Sequence, residues 1–173
     1  IGIYAGARNV VLSEFTPAGC LQAIRDHRIS KLFIVPAAMQ FVLADPTCAD
    51  TDFSSLKYMI YGASPIPLPL LQRAMDVFKC GFVQLYGMTE TGTSTINPTA
   101  AGNRIGSIGK VAPGYEASIR DEAGAEVPVG TTGRMWIRSP SNMIGYWNRP
   151  DATAETIQGG WLDFDICVAT PDM

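Results

Sequence analysis

The chain has 173 residues, of which 47% are hydrophobic and 17% charged, with a formal net charge of −3 at pH 7. This apolar content excludes intrinsic disorder and predicts a folded core. Thirteen basic residues against sixteen acidic ones create no positive field for a phosphate backbone, so we expect no nucleic-acid partner. No apolar run reaches the roughly 18 to 20 residues that cross a bilayer, and the start lacks a signal-peptide layout. We therefore expect a cytoplasmic protein without a transmembrane segment.

Cysteine and histidine offer little support for metal or nucleophilic chemistry. The cysteines are widely spaced and form no Cys-x-x-Cys pair, which disfavours a zinc knuckle or a thioredoxin-like redox site. We expect them to be buried, reduced thiols. The single histidine lies in a helical pattern and is expected on the helix surface. These residues are Cys20, Cys48, Cys80, Cys167 and His27.

The first half of the chain alternates helix and strand patterns. Thr16-Pro17 supplies a helix start, and the apolar spacing behind it predicts a helix over about 17–28. The apolar run at 31–35 predicts a strand covered on both faces. Further predicted elements are a helix over 37–44, a strand over 56–61, a helix over 68–78 and a strand over 82–86. This alternation predicts an α/β architecture with a parallel sheet.

Two of the predicted strands end in polar loops that contain glycine. These loops are Gly62-Ala63-Ser64 and residues 87–92. In open parallel sheets, ligands bind beyond the carboxyl ends of the strands. We therefore expect both loops to face one cleft.

The pattern changes after about residue 98, where glycines multiply and helical spacing fades. Short strands are predicted over 115–120 and 134–138, with a turn at 121–124 and a short helix over 151–156. The sequence thus predicts a partial α/β sheet subdomain over 1–102. A smaller antiparallel β-rich subdomain, a distorted barrel, is predicted over 103–173.

The segment Tyr86-Gly-Met-Thr-Glu90 concentrates chemically useful groups at a predicted strand end. An aromatic ring can stack on a base, a hydroxyl can bond a phosphate, and a carboxylate can ligate magnesium. An ordinary strand exit with an exposed acid is an equally good interpretation of this segment alone. Residues 102–110 fail the phosphate-loop pattern, and no Gly-x-Ser-x-Gly elbow is present.

An ordered series of segments resembles the adenylate-forming enzymes, in particular the acyl-CoA synthetases that act on fatty and related carboxylic acids. The resemblance covers nearly the whole chain and weakens in the last dozen residues. The matching segments are Tyr61-Gly-Ala-Ser-Pro65, Tyr86-Gly-Met-Thr-Glu90, Gly106-Ser-Ile-Gly-Lys110 with Pro113-Gly114, Gly130-Thr-Thr-Gly-Arg134, and Gly145-Tyr-Trp-Asn-Arg-Pro150 through Gly160-Trp161.

The resemblance implies a two-step reaction. A carboxylate attacks the α-phosphate of ATP to give an acyl-adenylate and pyrophosphate, and the thiol of coenzyme A then displaces AMP. It also implies that Thr89 and Glu90 are catalytic, with Thr89 at the phosphates and Glu90 holding Mg²⁺. The other implied binding residues are Tyr86 on adenine, Gly87 and Met88 beside the nucleotide, Gly62, Ala63 and Ser64 at the adenine and acyl pocket, and Asp165 on the ribose.

Two departures from the family pattern affect these assignments. Tyr61 replaces a frequent glycine beside the acyl pocket, which implies an influence on chain selectivity. The spacing from Trp161 to Asp165 is one residue shorter than usual and lacks the Thr-Gly pair. Asp163 is therefore the alternative ribose ligand.

The chain begins at Ile1, and no Pro-Lys-Gly phosphate loop occurs in it. Neither Lys57 nor Lys110 matches the catalytic lysine that the family carries in a C-terminal domain. We expect this chain to be part of the large N-terminal domain of a longer enzyme and to be inactive alone. The alternatives are an amino-acid-activating adenylation domain and a non-catalytic adenylate-binding or interaction module.

Overall fold

The computed structural model describes residues 2–98 and 105–168, with side chains described up to Asp163. Contacts divide the chain into two compact units, which we call the helical unit and the strand unit. The helical unit comprises Ile1–Val83 with Pro98–Gly106, and the strand unit comprises Gln84–Asn97 with Ser107–Met173. The boundary predicted between residues 102 and 103 lies outside the described residues and stays a prediction.

The helical unit alternates helices and strands, as its sequence predicts. Helix α1 (Pro17–His27) begins after Thr16, whose hydroxyl oxygen accepts a hydrogen bond from Gly19 N at 3.1 Å. It ends at Arg28, which adopts a left-handed conformation with φ 46°. The elements are α1 (Pro17–His27), β1 (Lys31–Ile34), α2 (Pro36–Ala44), a 3₁₀ turn (Pro46–Cys48), β2 (Tyr58–Gly62) and α3 (Leu68–Phe78). The α/β prediction is confirmed.

Strands β1 and β2 are parallel, with Lys31 opposite Tyr58 and Ile34 opposite Tyr61. Alternate residues of these strands join the three helices in one apolar core, since side chains alternate between the two faces of a sheet. Phe33, on the other face of β1, is 58% exposed. Within the described residues, the prediction that this run is covered on both faces is therefore wrong. The fully buried core side chains include Leu21, Ile24, Met39, Met59, Leu71 and Phe78.

The strand unit is built mostly from antiparallel strands. The remaining elements are β3 (Gly81–Met88), β4 (Gly92–Pro98), β5 (Lys110–Val111), β6 (Glu116–Arg120), β7 (Thr132–Arg138), α4 (Pro150–Thr156), β8 (Ile157–Gln158) and β9 (Trp161–Val168). Strands β6 and β7 pair antiparallel, from Glu116 opposite Arg138 to Arg120 opposite Arg134. The two sheets have the strand orders β1-β2-β3-β4-β5 and β6-β7-β9-β8.

The second sheet has chemically different faces. Ile119, Met135 and Ile137 form its small apolar cluster. On the other face, the guanidinium groups of Arg120 and Arg138 each lie 4.6 Å from the ring centre of Trp161. Such cation–π contacts contribute about 0.5–1 kcal/mol each at exposed sites.

The histidine prediction is confirmed, and the prediction of buried thiols is confirmed for Cys20 and Cys48 but is wrong for Cys80, which is free and only half-buried. Cys20 and Cys48 are buried and free, and burial raises the pKa of the Cys20 thiol. His27 is exposed on the last turn of α1. Cys167 lies outside the described side chains. None of the described helices is long and apolar enough to cross a membrane.

Candidate functional site

Thr89, Glu90 and Thr91 form a tight turn between β3 and β4 in the strand unit. The turn is closed by a hydrogen bond from Thr91 N to Met88 O at 3.2 Å. Because such a short connection joins neighbouring strands, β3 and β4 form an antiparallel hairpin. The Thr89 side chain is exposed and that of Glu90 is half-buried, so both are accessible to a ligand.

Strand β3 extends further than the sequence predicts and includes Gly87 and Met88. The reason is steric. A Cβ atom at Gly87 would collide with the backbone oxygen of Gly92. Glycine therefore allows the two strands of the hairpin to approach each other up to the turn, and residues 87–88 are not part of the loop.

Thr91 anchors the buried side of the turn. Its side chain is fully buried, and its hydroxyl lies 2.9 Å from that of Ser94. Its carbonyl oxygen accepts a hydrogen bond from Tyr115 Oη at 2.7 Å. The threonine thus fixes the backbone directly after Glu90.

Glu90 is held at two points by the loop that precedes α4. Its backbone oxygen accepts a hydrogen bond from Met143 N at 2.7 Å. Its carboxylate Oε1 accepts a hydrogen bond from Tyr146 Oη at 2.9 Å. This hydrogen bond is the main reason why the pKa of Tyr146 is raised, since the phenol is stabilised in its neutral, donating form. The other oxygen, Oε2, has no hydrogen-bond partner among the described residues.

The donor set at Glu90 suits a magnesium ion that arrives with a phosphorylated substrate. Mg²⁺ commonly binds one or two protein carboxylates and takes its other ligands from water and phosphate oxygens. Glu90 offers one carboxylate oxygen of this kind. Among the described residues, no group of three or more His, Cys, Asp or Glu side chains could form a complete protein cage.

Tyr86 lies in β3, on the N-terminal side of the turn. Its side chain is half-buried and packs against the apolar cluster of Ile119, Met135 and Ile137. This packing fixes the ring and leaves part of it accessible. The adenine contact implied for Tyr86 stays a prediction, as do the nucleotide contacts implied for Gly87 and Met88.

Gly62, Ala63 and Ser64 belong to the helical unit. Gly62 is buried at the end of β2, whereas Ala63 and Ser64 are exposed. Ala63 has φ 67°, a left-handed conformation that is unfavourable for a residue with a Cβ atom. Strain of this kind is concentrated at ligand sites in other proteins. The role of this loop in the adenine and acyl pocket, and the shared cleft with residues 87–92, stay predictions.

Tyr61 is buried in the core of the helical unit, where it is 2% exposed. Its ring meets that of Phe82 edge-on, with 6.2 Å between the ring centres. Burial raises the pKa of its hydroxyl. Its influence on chain selectivity stays a prediction.

Asp163 and Asp165 differ in what the structure describes. Both carboxylate oxygens of Asp163 accept hydrogen bonds from Arg134 Nε, at 2.8 and 2.9 Å. This ion pair occupies Asp163 and weakens it as the alternative ribose ligand. The backbone of Asp165 lies opposite Met135, just beyond a register shift in β9, and its side chain lies outside the described residues. The ribose contact of Asp165 stays a prediction.

Tyr146 is the residue that sequence reasoning missed. It lies inside the Gly145-Tyr-Trp segment, which contributed to the family resemblance without receiving a role of its own. The signal available was its position in that segment. Its contact with Glu90 joins residues 56 positions apart, which no local pattern reveals.

Comparison with known proteins identifies the family. The pattern of the family described as "AMP-binding enzyme" matches residues 1–147. The chain belongs to this family. Among AMP-binding enzymes, it is 36% identical over 163 residues to the fatty acid–[acyl-carrier-protein] ligase ScoC of Streptomyces coeruleorubidus, covering 91% of this chain and 31% of that protein.

Two further relatives show the range of chemistry in these AMP-binding enzymes. A feruloyl-CoA synthase from an Amycolatopsis species is 34% identical over 159 residues, covering 91% of this chain and 32% of its own. The amide bond synthetase McbA of Marinactinospora thermotolerans has a similar structure, with a TM-score of 0.85 and 31% identity. That match covers 93% of this chain and 33% of McbA. The chain therefore spans about a third of the length of these relatives.

Proposed function

We propose that the full-length protein activates a carboxylic acid with ATP and transfers the acyl group to coenzyme A. The observation that carries this proposal is the Thr89–Glu90 turn, which presents an accessible hydroxyl and a carboxylate oxygen at the end of the strand that contains Tyr86, in a chain of the AMP-binding family. The three relatives are a fatty acid–[acyl-carrier-protein] ligase, a feruloyl-CoA synthase and an amide bond synthetase. The first two are named for the acyl groups that they use, which supports carboxylate activation by the full-length protein.

In the first step, a carboxylate oxygen of the acid forms a bond to the α-phosphorus of ATP. The bond from that phosphorus to the bridging oxygen breaks, and pyrophosphate leaves with the electron pair. In the second step, the thiolate of coenzyme A attacks the acyl carbon, and AMP leaves with the electrons of the acyl–oxygen bond. A bound Mg²⁺ would supply positive charge to the phosphate oxygens.

The residues of this chain contribute binding and orientation. Glu90 would hold the metal through its carboxylate, and the Thr89 hydroxyl donates a hydrogen bond to a phosphate oxygen. Tyr86 stacks on adenine, and Asp165 binds the ribose. Ala63 and Ser64 are exposed on their loop and are accessible to a ligand.

A fatty or related acid is the substrate class that we propose. ScoC, the relative at 36% identity, is a fatty acid ligase, whereas the feruloyl-CoA synthase is named for an aromatic acid. The decisive assay is pyrophosphate release by the full-length protein with short-, medium- and long-chain acids and with aromatic acids. Release with none of them would overturn the proposal, and ATP binding without turnover would identify a non-catalytic module. We expect the 173-residue chain alone to show no substantial release.

Replacement of Glu90 tests the proposed metal ligand. In the full-length protein, Glu90→Gln keeps the size of the side chain and removes its charge, so the concentration of Mg²⁺ that gives half-maximal turnover should rise by at least about tenfold. Glu122→Gln, at an exposed turn position, is the matched control and should leave Mg²⁺ dependence unchanged. An unchanged Mg²⁺ dependence in Glu90→Gln would remove Glu90 from the site.

A further inference from the structure

Tyr146 is joined to Glu90 by a hydrogen bond that no local pattern in the sequence requires. The phenol Oη lies 2.9 Å from Oε1 of Glu90, and Met143 N lies 2.7 Å from the Glu90 carbonyl oxygen. The first bond fixes the carboxylate and the second fixes the backbone that carries it. A glutamate on a turn would otherwise rotate freely among several side-chain conformations.

The loop that carries Tyr146 is itself fixed by α4. The Thr153 hydroxyl accepts a hydrogen bond from Tyr146 N at 2.9 Å and donates one to Arg149 O at 2.8 Å. Gly145 permits this approach, because a Cβ atom there would lie 2.9 Å from Thr153 Cγ2, and its φ of 153° suits glycine. The backbone of Tyr146 is therefore held against the first turn of α4.

The bond pattern also determines which carboxylate oxygen remains available. Oε1 is occupied by the phenol, and Oε2 has no hydrogen-bond partner among the described residues. Tyr146 is 36% exposed, so its hydroxyl lies at an accessible surface and has little value as a core hydrogen bond. A phenol that bonds one oxygen of a carboxylate orients the other oxygen toward a metal, as partners behind metal ligands do in many proteins.

We propose that Tyr146 is a positioning residue that holds the Glu90 carboxylate for a divalent cation, with Thr153 as the anchor of Tyr146. The proposal rests on the proposed function, in which Glu90 is the metal ligand. In this proposal, the Gly145-Tyr-Trp segment and α4 serve to position the Glu90 carboxylate. Tyr146 itself touches neither substrate nor metal.

The test compares Tyr146→Phe with the unaltered full-length protein. The variant keeps the ring and removes only the hydroxyl, so the Mg²⁺ concentration for half-maximal pyrophosphate release should rise about tenfold. The turnover at saturating Mg²⁺ should change less than about twofold, since the ligand itself is retained. Tyr58→Phe is the matched control, because the Tyr58 side chain is exposed and belongs to β2 of the helical unit. It should match the unaltered protein.

A readout independent of activity is the binding of Mn²⁺, followed by electron paramagnetic resonance in the presence of a non-hydrolysable ATP analogue. Tyr146→Phe should weaken Mn²⁺ binding by about the same factor as it changes the Mg²⁺ requirement. Adding it to Glu90→Gln should weaken binding no further, because the two residues act as one unit. Thr153→Val should reproduce part of the loss, and Thr153→Ser, which keeps the hydroxyl, should not.

The outcomes separate the two proposals. If Glu90→Gln weakens Mn²⁺ binding and Tyr146→Phe does not, the positioning role is overturned and the proposed function stands. Additive losses in the double variant would also overturn the positioning role. If Glu90→Gln leaves Mn²⁺ binding unchanged, Glu90 is not the metal ligand, and the proposed function loses the residue on which both proposals depend.

Discussion

The helical unit and the strand unit are stabilised by different interactions. The helical unit buries one apolar cluster in which three helices cover one face of a parallel sheet. The strand unit has an apolar cluster of three buried residues, and Ala112, Trp136 and Leu162 are also buried there. It buries in addition the polar side chains Thr91, Ser94, Thr95, Asn97 and Ser118. The free energy gained by burying apolar area does not depend on the direction of the contact, whereas a buried hydroxyl requires a partner at a defined angle. The unit that carries Glu90 therefore depends more on directional hydrogen bonds than the helical unit does.

The directional hydrogen bonds of the strand unit suit the proposed role of Glu90 as a metal ligand. A directional network fixes a carboxylate to within a fraction of an ångström, which apolar packing alone does less well. The exposed turn at Glu90 is bounded on one side by the bonds of Thr91 and on the other by those of Tyr146. In the helical unit, the loop 62–64 carries the strained Ala63.

The largest expected effect comes from a substitution in the apolar core of the helical unit. Phe78 is 1% exposed in α3, and its ring meets that of Phe53 edge-on at 4.9 Å. Phe78→Ala should lower the free energy of unfolding by about 3–5 kcal/mol, because it removes buried area and leaves a cavity. Phe41→Ala is the control in α2, where the side chain is 62% exposed and the cost should stay below about 0.5 kcal/mol.

Amide hydrogen exchange of the two variants locates the effect. Phe78→Ala should speed exchange mainly in α1, α2 and α3, because local stability follows the unit in which the contact is lost. Equal acceleration in β6 and β7 would show that the two units open together. That result would contradict the division into two separately stabilised units.

The elements of the helical unit could be predicted from sequence because their signals are local. The helix over 68–78 is observed with the same bounds, since its apolar face repeats at helical spacing. The cap at Thr16 likewise follows from one residue and its neighbours. The coverage of β1 could not be predicted in this way, because an apolar run does not reveal which elements of the chain pack against each face.

The site could be predicted only in part. The Tyr86–Glu90 segment carries its own residue types, and a family resemblance was enough to assign roles to them. The extension of β3 through Met88 depends on the close approach at Gly87, which is a tertiary contact. The Tyr146–Glu90 and Tyr115–Thr91 bonds also join distant residues, so they follow from the fold and not from spacing.

The second expected effect tests the buried hydrogen bonds of the strand unit. Thr91→Val preserves the volume of a fully buried side chain and removes its hydroxyl, leaving the Ser94 hydroxyl without its partner. We expect a loss of about 1–3 kcal/mol in the free energy of unfolding, the usual cost of an unpaired buried polar group. Thr91→Ser keeps the hydroxyl and serves as the control. Faster hydrogen exchange should be confined to the strand unit, and a valine variant as stable as the original would show that the network contributes little.

The smallest expected effect concerns a surface ion pair of the strand unit. Arg138 Nε donates to Glu116 Oε1 at 3.1 Å, and this hydrogen bond holds the pKa of Glu116 below its usual value. A carboxyl whose pKa is lower in the folded state stabilises the fold above its unfolded pKa and loses that contribution as pH falls through the folded pKa. The gain should thus be complete at neutral pH and disappear in the acid range below the ordinary pKa of a glutamate. Because both side chains are largely exposed, salt should screen most of this stabilisation.

At low ionic strength, Glu116→Gln should reduce the dependence of the free energy of unfolding on pH in the acid range, and Glu122→Gln should not. An equal response of the two variants would show that the bidentate geometry adds nothing to the fold, and the directional character of the strand unit would then reside entirely in its buried hydroxyl and amide groups.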